Sequence, residues 1–207
     1  MNEDYTDIHE GKGAEQETRQ RIIAAAKQLM AEKGYKGATT RKIAELAGVN
    51  EVTVFRHFKN KEGLLDAALL EMTAIRDPLE AFVRDFSGSV EELLAAYARR
   101  YYEILVERKD SFIICMFEAR DRPELAQLFC RIPEAAIEVL RAELEKLASQ
   151  GILDDQKDHG VAAHMLLSTV LIEFIVNQHI GLETTCPMDE YQVMQHASNI
   201  LFTGLRK

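Results

Sequence analysis

Only 11 Gly and 4 Pro interrupt the 207 residues of this chain. So few breakers leave few places to turn, and the apolar residues between them recur at helical spacing. Ile22, Ala25, Ala26, Leu29 and Met30 fall at i, i+3, i+4, i+7 and i+8, one stripe of one helix. No stretch alternates with period two for long enough to make a strand. The pattern predicts an all-α fold. Apolar residues make up 47% of the chain, enough to bury a core and to exclude wholesale disorder.

The breakers and small polar residues set the expected helix ends. Gly34 closes the first helix, being suited to the left-handed conformation past a helix end. Thr39 and Thr40 offer capping hydroxyls to a short second helix, with Ile43, Leu46 and Ala47 facing inward. Gly48 stops it. Asn50 caps a third helix with Val54, Phe55 and Phe58 as its apolar members. Asn60 caps a fourth, through Leu64, Leu65, Ala68 and Leu69, which Pro78 limits. Further helices are expected over 89–107, 111–120, 123–150 with a kink point at Pro133, 157–179 and 189–205. Residues 1–14 are acidic and poor in apolar side chains, and read as a mobile tail.

Net charge is −9, which by itself argues against nucleic acid, but the charge is unevenly divided. Residues 1–17 carry one basic and six acidic groups, net −5. Residues 18–61 carry ten basic and three acidic groups, net +7, and residues 62–207 carry 14 and 25, net −11. A compact basic module joined to an acidic one is the footprint of DNA binding confined to one end. The three cysteines, Cys115, Cys130 and Cys186, form no CxxC or metal spacing, and no secretory signal is present. A reduced, cytoplasmic protein is expected. No apolar run reaches the ~18–20 residues of a membrane span, so no membrane partner is expected.

Two short helices joined by Gly48-Val49-Asn50 make a helix-turn-helix, whose second helix enters the major groove of DNA. Thr40 and Arg41 start the first of them. Thr53, Arg56 and His57 fall on the outer face of the second. Lys61 lies in the first turn of the next helix, where a cation opposes the helix dipole and a phosphate would offset the cost.

The run Gly34-Tyr35, Thr39-Thr40, Ile43-Ala44, Ala47-Gly48-Val49, Thr53-Val54-Phe55, His57-Phe58, Lys61-Glu62-Gly63-Leu64 resembles the N-terminal domain of the TetR/AcrR family of bacterial transcriptional regulators. The resemblance covers about residues 18–65. It implies a three-helix DNA-binding head over 15–62 and a larger helical ligand-binding and dimerisation domain over 63–207. It implies that Thr40, Thr53, His57 and Lys61 hold phosphates. Arg41, Glu51, Val52 and Arg56 are then the base readers, and Asn50 is a cap first and a DNA contact second. Two residues depart from the family run. Phe55 replaces a tyrosine and forfeits a hydroxyl contact, which leaves it a packing role. Val52 stands where a small residue is usual, to meet a thymine methyl or face the core.

The resemblance further implies a homodimer through the last two long helices, a double-stranded DNA operator and a small-molecule effector. Candidate effector contacts are Tyr97, Tyr101, Phe112, Cys115, Met116, Phe129, Met165, Thr169 and Asn177, with Tyr102, Phe117 and Gln178 beside them. Flexible and aromatic side chains suit an apolar or amphipathic ligand, although the same stripe also reads as core packing. Glu173 interrupts the most apolar helix, facing either solvent, an interface cation or a cationic ligand. No catalytic motif, cofactor loop or metal motif is found, and His159 and His164, five apart, fall on different helix faces. The competing readings are a redox sensor built on Cys115 and Cys130 and a helical adaptor that has lost DNA binding.

Overall fold

The structure, a computed structural model, describes residues 4–73, 75–180 and 188–207. Among the described residues the regular elements are helices and none is a strand. They are α1 (Asp4–Gly37), α2 (Thr40–Ala47), α3 (Glu51–Phe58), α4 (Lys61–Thr73) and α5 (Arg76–Asp85). There follow α6 (Val90–Glu107), α7 (Lys109–Glu118), α8 (Pro123–Ser149), α9 (His159–Ile175) and α10 (Glu190–Leu205). A π-helical turn, Val176–Ile180, extends α9. Two compact units result. The first joins the chain up to Glu71 with Asp110–Leu125, and the second joins Met72–Lys109 with Ala126–Lys207.

Local signals place most of the ends. Gly34 adopts φ 67° and breaks the regular geometry of α1 three residues before its end. Thr39 caps α2 by accepting from the Lys42 N–H at 3.3 Å, and Gly48 closes it in the left-handed conformation. Asn60 Oδ1 accepts from the Gly63 N–H at 2.7 Å at the start of α4. Ser89 with Glu92, and Asp189 with Gln192, form reciprocal capping boxes on α6 and α10.

Several expectations are corrected. The backbone is helical from Asp4, so the segment read as a tail continues α1. Asn50 occupies the N-cap of α3 but makes no side-chain cap bond. Leu46 is 48% and Phe55 44% exposed, so neither joins the core. The boundary at 62/63 is replaced by a first unit that runs to Glu71 and takes in Asp110–Leu125.

In the first unit Ile22, Ala26 and Met30 of α1 bury with Ile43, Ala44, Val54 and Leu64. In the second, α6 packs on α5, α9 and α10, and α9 on α10. Tyr97, Tyr101, Leu166, Val170, Phe174 and Met194 are buried there. By length and composition alone, His159–Gln178 meets the measure of a membrane span, with mean hydropathy 1.6, contrary to the sequence reading. Its Leu166, Leu167, Val170 and Phe174 are spent on the core.

The α3–α4 connection is tight. Lys59 adopts φ 61°, and the Asn60 N–H donates to the Phe58 carbonyl at 2.6 Å, a γ-turn of the rarer hand. A Cβ at Gly63 would lie 2.5 Å from the same carbonyl oxygen. Gly63→Ala gains about 1 kcal/mol of helix propensity. It also meets backbone that cannot swing aside, at a cost of about 1–3 kcal/mol. The strain should win, and urea unfolding should show a destabilised variant.

Candidate nucleic-acid interface

Burial of Val54 and Phe58 fixes which side of α3 faces outward. Val52, Phe55 and Arg56, at i, i+3 and i+4, are all exposed and form one stripe. Val52 is 78% exposed, so of its two expected settings it takes the outward one. Phe55 stands beside it on the surface rather than packing. An outward Val and Phe can meet thymine methyls, and Arg56 can fork onto a guanine. At the end of the helix the Arg19 guanidinium lies 5.2 Å from the Phe58 ring centroid, tying α1 to α3.

Arg41 is exposed at the start of α2, paired with Glu45 at 3.3 Å. Thr40 and Glu51, expected to touch DNA, are joined to each other. The Thr40 hydroxyl donates to Glu51 Oε1 at 2.5 Å and braces the start of α2 against the start of α3. Thr53 and His57 are half-buried, and His57 Nε2 is buried without a hydrogen-bond partner among the described residues. Asn50 is exposed, with its amide uncommitted to the cap.

Lys61 departs most from expectation. Its ammonium donates to the Tyr35 carbonyl and lies 4.2 Å from the Tyr35 ring centroid. Burial pulls its pKa down, with Glu62 and Glu118 opposing and Arg122 assisting. The carbonyl just past the regular part of α1 offers this cation a partner that the local sequence does not reveal.

Residues 22–68 match the family model of the bacterial regulatory proteins of the tetR family. By residues 22–68, the chain carries the DNA-binding head of the TetR family. It is a helix-turn-helix transcriptional regulator. An uncharacterized transcriptional regulator of this type from Bacillus subtilis, YvkB, is 28% identical over 91% of this chain and 97% of its own. The crystal structure of a TetR-family regulator from Mesorhizobium loti superposes with TM-score 0.72 at 20% identity, covering 93% of this chain and 98% of that one. The regulator FadR from Bacillus subtilis, solved in complex with stearoyl-CoA, gives TM-score 0.67 at 24% identity, covering 89% and 98%.

The residues expected to gather around an effector are shared out between the two units. Phe112, Cys115 and Met116 belong to the first unit, and the other six to the second. Tyr97 is buried and donates to the Ala136 carbonyl at 2.7 Å, a core hydrogen bond. Tyr101 is also fully buried, its hydroxyl without a partner among the described residues. Met165 is 60% exposed, Phe129 and Asn177 are half-buried, and the Thr169 hydroxyl returns to the Met165 carbonyl. Clefts of about 480, 330 and 300 Å³ open on the second unit, and none of the nine lines them. The cleft of about 480 Å³ lies between α5 and α8, with Arg76, Val83, Phe86 and Lys146 in its wall. Tyr102 and Gln178 line the smallest, with Glu190 and Tyr191. Glu173 is half-buried, and burial followed by the charge of Glu190 raises its pKa.

Nothing favours the redox alternative. Cys115 is buried and its thiol pushed up to about 12 by that burial, the reverse of an activated thiol. Cys130 is exposed, and Cys186 lies outside the described residues. His159 is buried and His164 exposed, and no metal-holding group is found among the described residues.

Proposed function

We propose that the protein is a dimeric, cytoplasmic repressor that grips a two-fold operator with its two α3 helices and lets go when an effector binds. The outward stripe of α3 on a basic head is the observation that carries this reading. Phosphates would be held by Thr53, His57 and Lys61, and bases read by Arg41, Val52 and Arg56. Thr40 and Glu51 brace the motif and give up their DNA roles. A two-fold dimer presents two such helices to half-sites ~34–36 Å apart, or a multiple of that. No catalytic step is needed.

The dimer would form through α9 and α10. Val161, Met165 and Ile172 of α9 are each more than half exposed, and Ile200 of α10 is 74% exposed. On each helix these lie opposite the buried residues, so an apolar face points away from its own core. The effector would be apolar or amphipathic, as in the relative that holds stearoyl-CoA. The clefts of the second unit mix aromatic and charged side chains, which suits a molecule with both characters. Such a molecule shifts the balance only by binding one dimer state better than the other.

Salt-dependent binding to the DNA upstream of its own gene tests the reading. The native protein should bind tightly with a steep negative salt slope. A Thr53→Ala, Arg56→Ala, His57→Ala triple variant should lose most of that affinity. Weak, salt-insensitive binding by both to every DNA tried would leave only the adaptor reading.

A further inference from the structure

Tyr35 sits where three segments of the first unit meet, and it is 7% exposed. Its N–H donates to Glu118 Oε1 at 2.8 Å, at the end of α7. Its hydroxyl donates to Glu62 Oε1 at 2.9 Å. Its carbonyl accepts from Lys61. Its ring takes Lys61 at 4.2 Å and the Arg122 guanidinium at 3.9 Å from the centroid. Every polar atom of Tyr35 is thus used. Half of its partners come from the start of α4, and half from a segment more than forty residues further along the chain.

Lys61 and Glu62 open α4 directly after the strained Lys59–Asn60 link from the recognition helix. A link of two residues has no slack, so whatever fixes Lys61 also fixes where α3 ends. Glu118 and Arg122 touch no residue of α2 or α3 in the contacts described, yet they hold two edges of the residue that holds Lys61. We propose that Glu118 and Arg122 are positioning residues for DNA binding, acting through Tyr35 on Lys61 and on the exit of the recognition helix. Lys61 then has two partners of the same kind: the Tyr35 carbonyl oxygen in the free head, and a backbone phosphate oxygen on DNA. The inference rests on the DNA-binding reading above and adds α7 to the machinery of the head.

The test uses the full chain and a fluorescently labelled duplex of random sequence, because phosphate contacts do not depend on sequence. Lys61→Ala should weaken binding and reduce the salt slope by about one per bound head. Arg122→Ala and Glu118→Gln should each weaken binding roughly three- to tenfold. Helix content and unfolding midpoint should stay close to native in both. Arg122→Lys should recover part of the loss, since it keeps the cation but not the flat stack. The decisive arm is the double variant. Lys61→Ala should cost about threefold less or better in the Arg122→Ala background than alone, because the lysine there is already misplaced.

A group that only stabilised the head would lower the unfolding midpoint and combine additively with Lys61→Ala; that result overturns the proposal. If Arg122→Ala does not fold, Glu118→Gln is nearly isosteric and carries the same cycle. Native protein that fails to bind the duplex at low salt would overturn the DNA-binding reading itself. Native binding with additive variants would remove only the role of α7.

Discussion

A Met165→Glu, Ile172→Glu variant should run as a monomer in sedimentation, with its helix content intact. Both side chains are well exposed on the protomer, at 60% and 58%, so a carboxylate there costs the isolated fold little. In a two-fold interface each substitution occurs twice, and four carboxylates would enter an apolar seam to which α9 contributes no Lys or Arg. The desolvation penalty in real proteins is several kcal/mol per unpaired ion. The sum exceeds the ~12 kcal/mol that would hold even a nanomolar dimer. The consequence for DNA is larger than the loss of one contact. In a dimer the second head binds at an effective concentration of roughly millimolar, and a monomer loses that gain. Operator affinity should fall by roughly a thousandfold, with the salt slope close to half the native value, because half the phosphates are contacted. A variant that stays dimeric would place the interface off α9. A monomer with the native slope would mean that one head suffices.

Much of the helix layout was legible because its determinants are local. Asn60, Ser89 with Glu92, and Asp189 with Gln192 signal helix starts within three residues of the atoms they bind. Gly34 and Gly48 announce positive φ by their identity. What failed was either marginal in the pattern or remote in the chain. Helices α2 and α3 have eight residues each, about two turns, so an apolar residue at the edge of the stripe can fall on either side. Leu46 and Phe55 did so. Asn50 and Asn60 are the same residue in the same kind of place, and only the second has its amide turned onto the helix N–H groups. The bond from Tyr35 to Glu118 spans 83 residues and leaves no periodic trace. The same holds for the membership of α7 in the first unit. The effector residues were chosen for chemistry alone, and chemistry does not distinguish Tyr97, spent on a core carbonyl, from Tyr102 at the edge of a cleft.

Arg56 offers the most direct test of what the recognition helix reads. It is exposed beside Val52 and Phe55, and the Arg41 guanidinium on α2 is restrained by an exposed pair with Glu45, worth about 0.3–0.5 kcal/mol. Either can turn onto a base at almost no cost. A bidentate contact to guanine discriminates by about 1–3 kcal/mol, and a two-fold dimer makes each contact twice. Arg56→Ala should therefore cost roughly 2–6 kcal/mol on the operator, or about 30- to 10⁴-fold. On random-sequence duplex the loss should be much smaller, confined to one charge per head. The ratio of the two affinities is thus the quantity to measure. Arg56→Lys separates fork from charge: the lysine keeps the phosphate attraction but cannot present two parallel N–H groups. If Arg56 reads a base, Arg56→Lys should bind random DNA like the native protein and still lose most of its preference for the operator. Should Arg56→Lys keep the full preference, Arg56 is a phosphate contact, and the reading of guanine passes to Arg41, where the same pair of substitutions decides it.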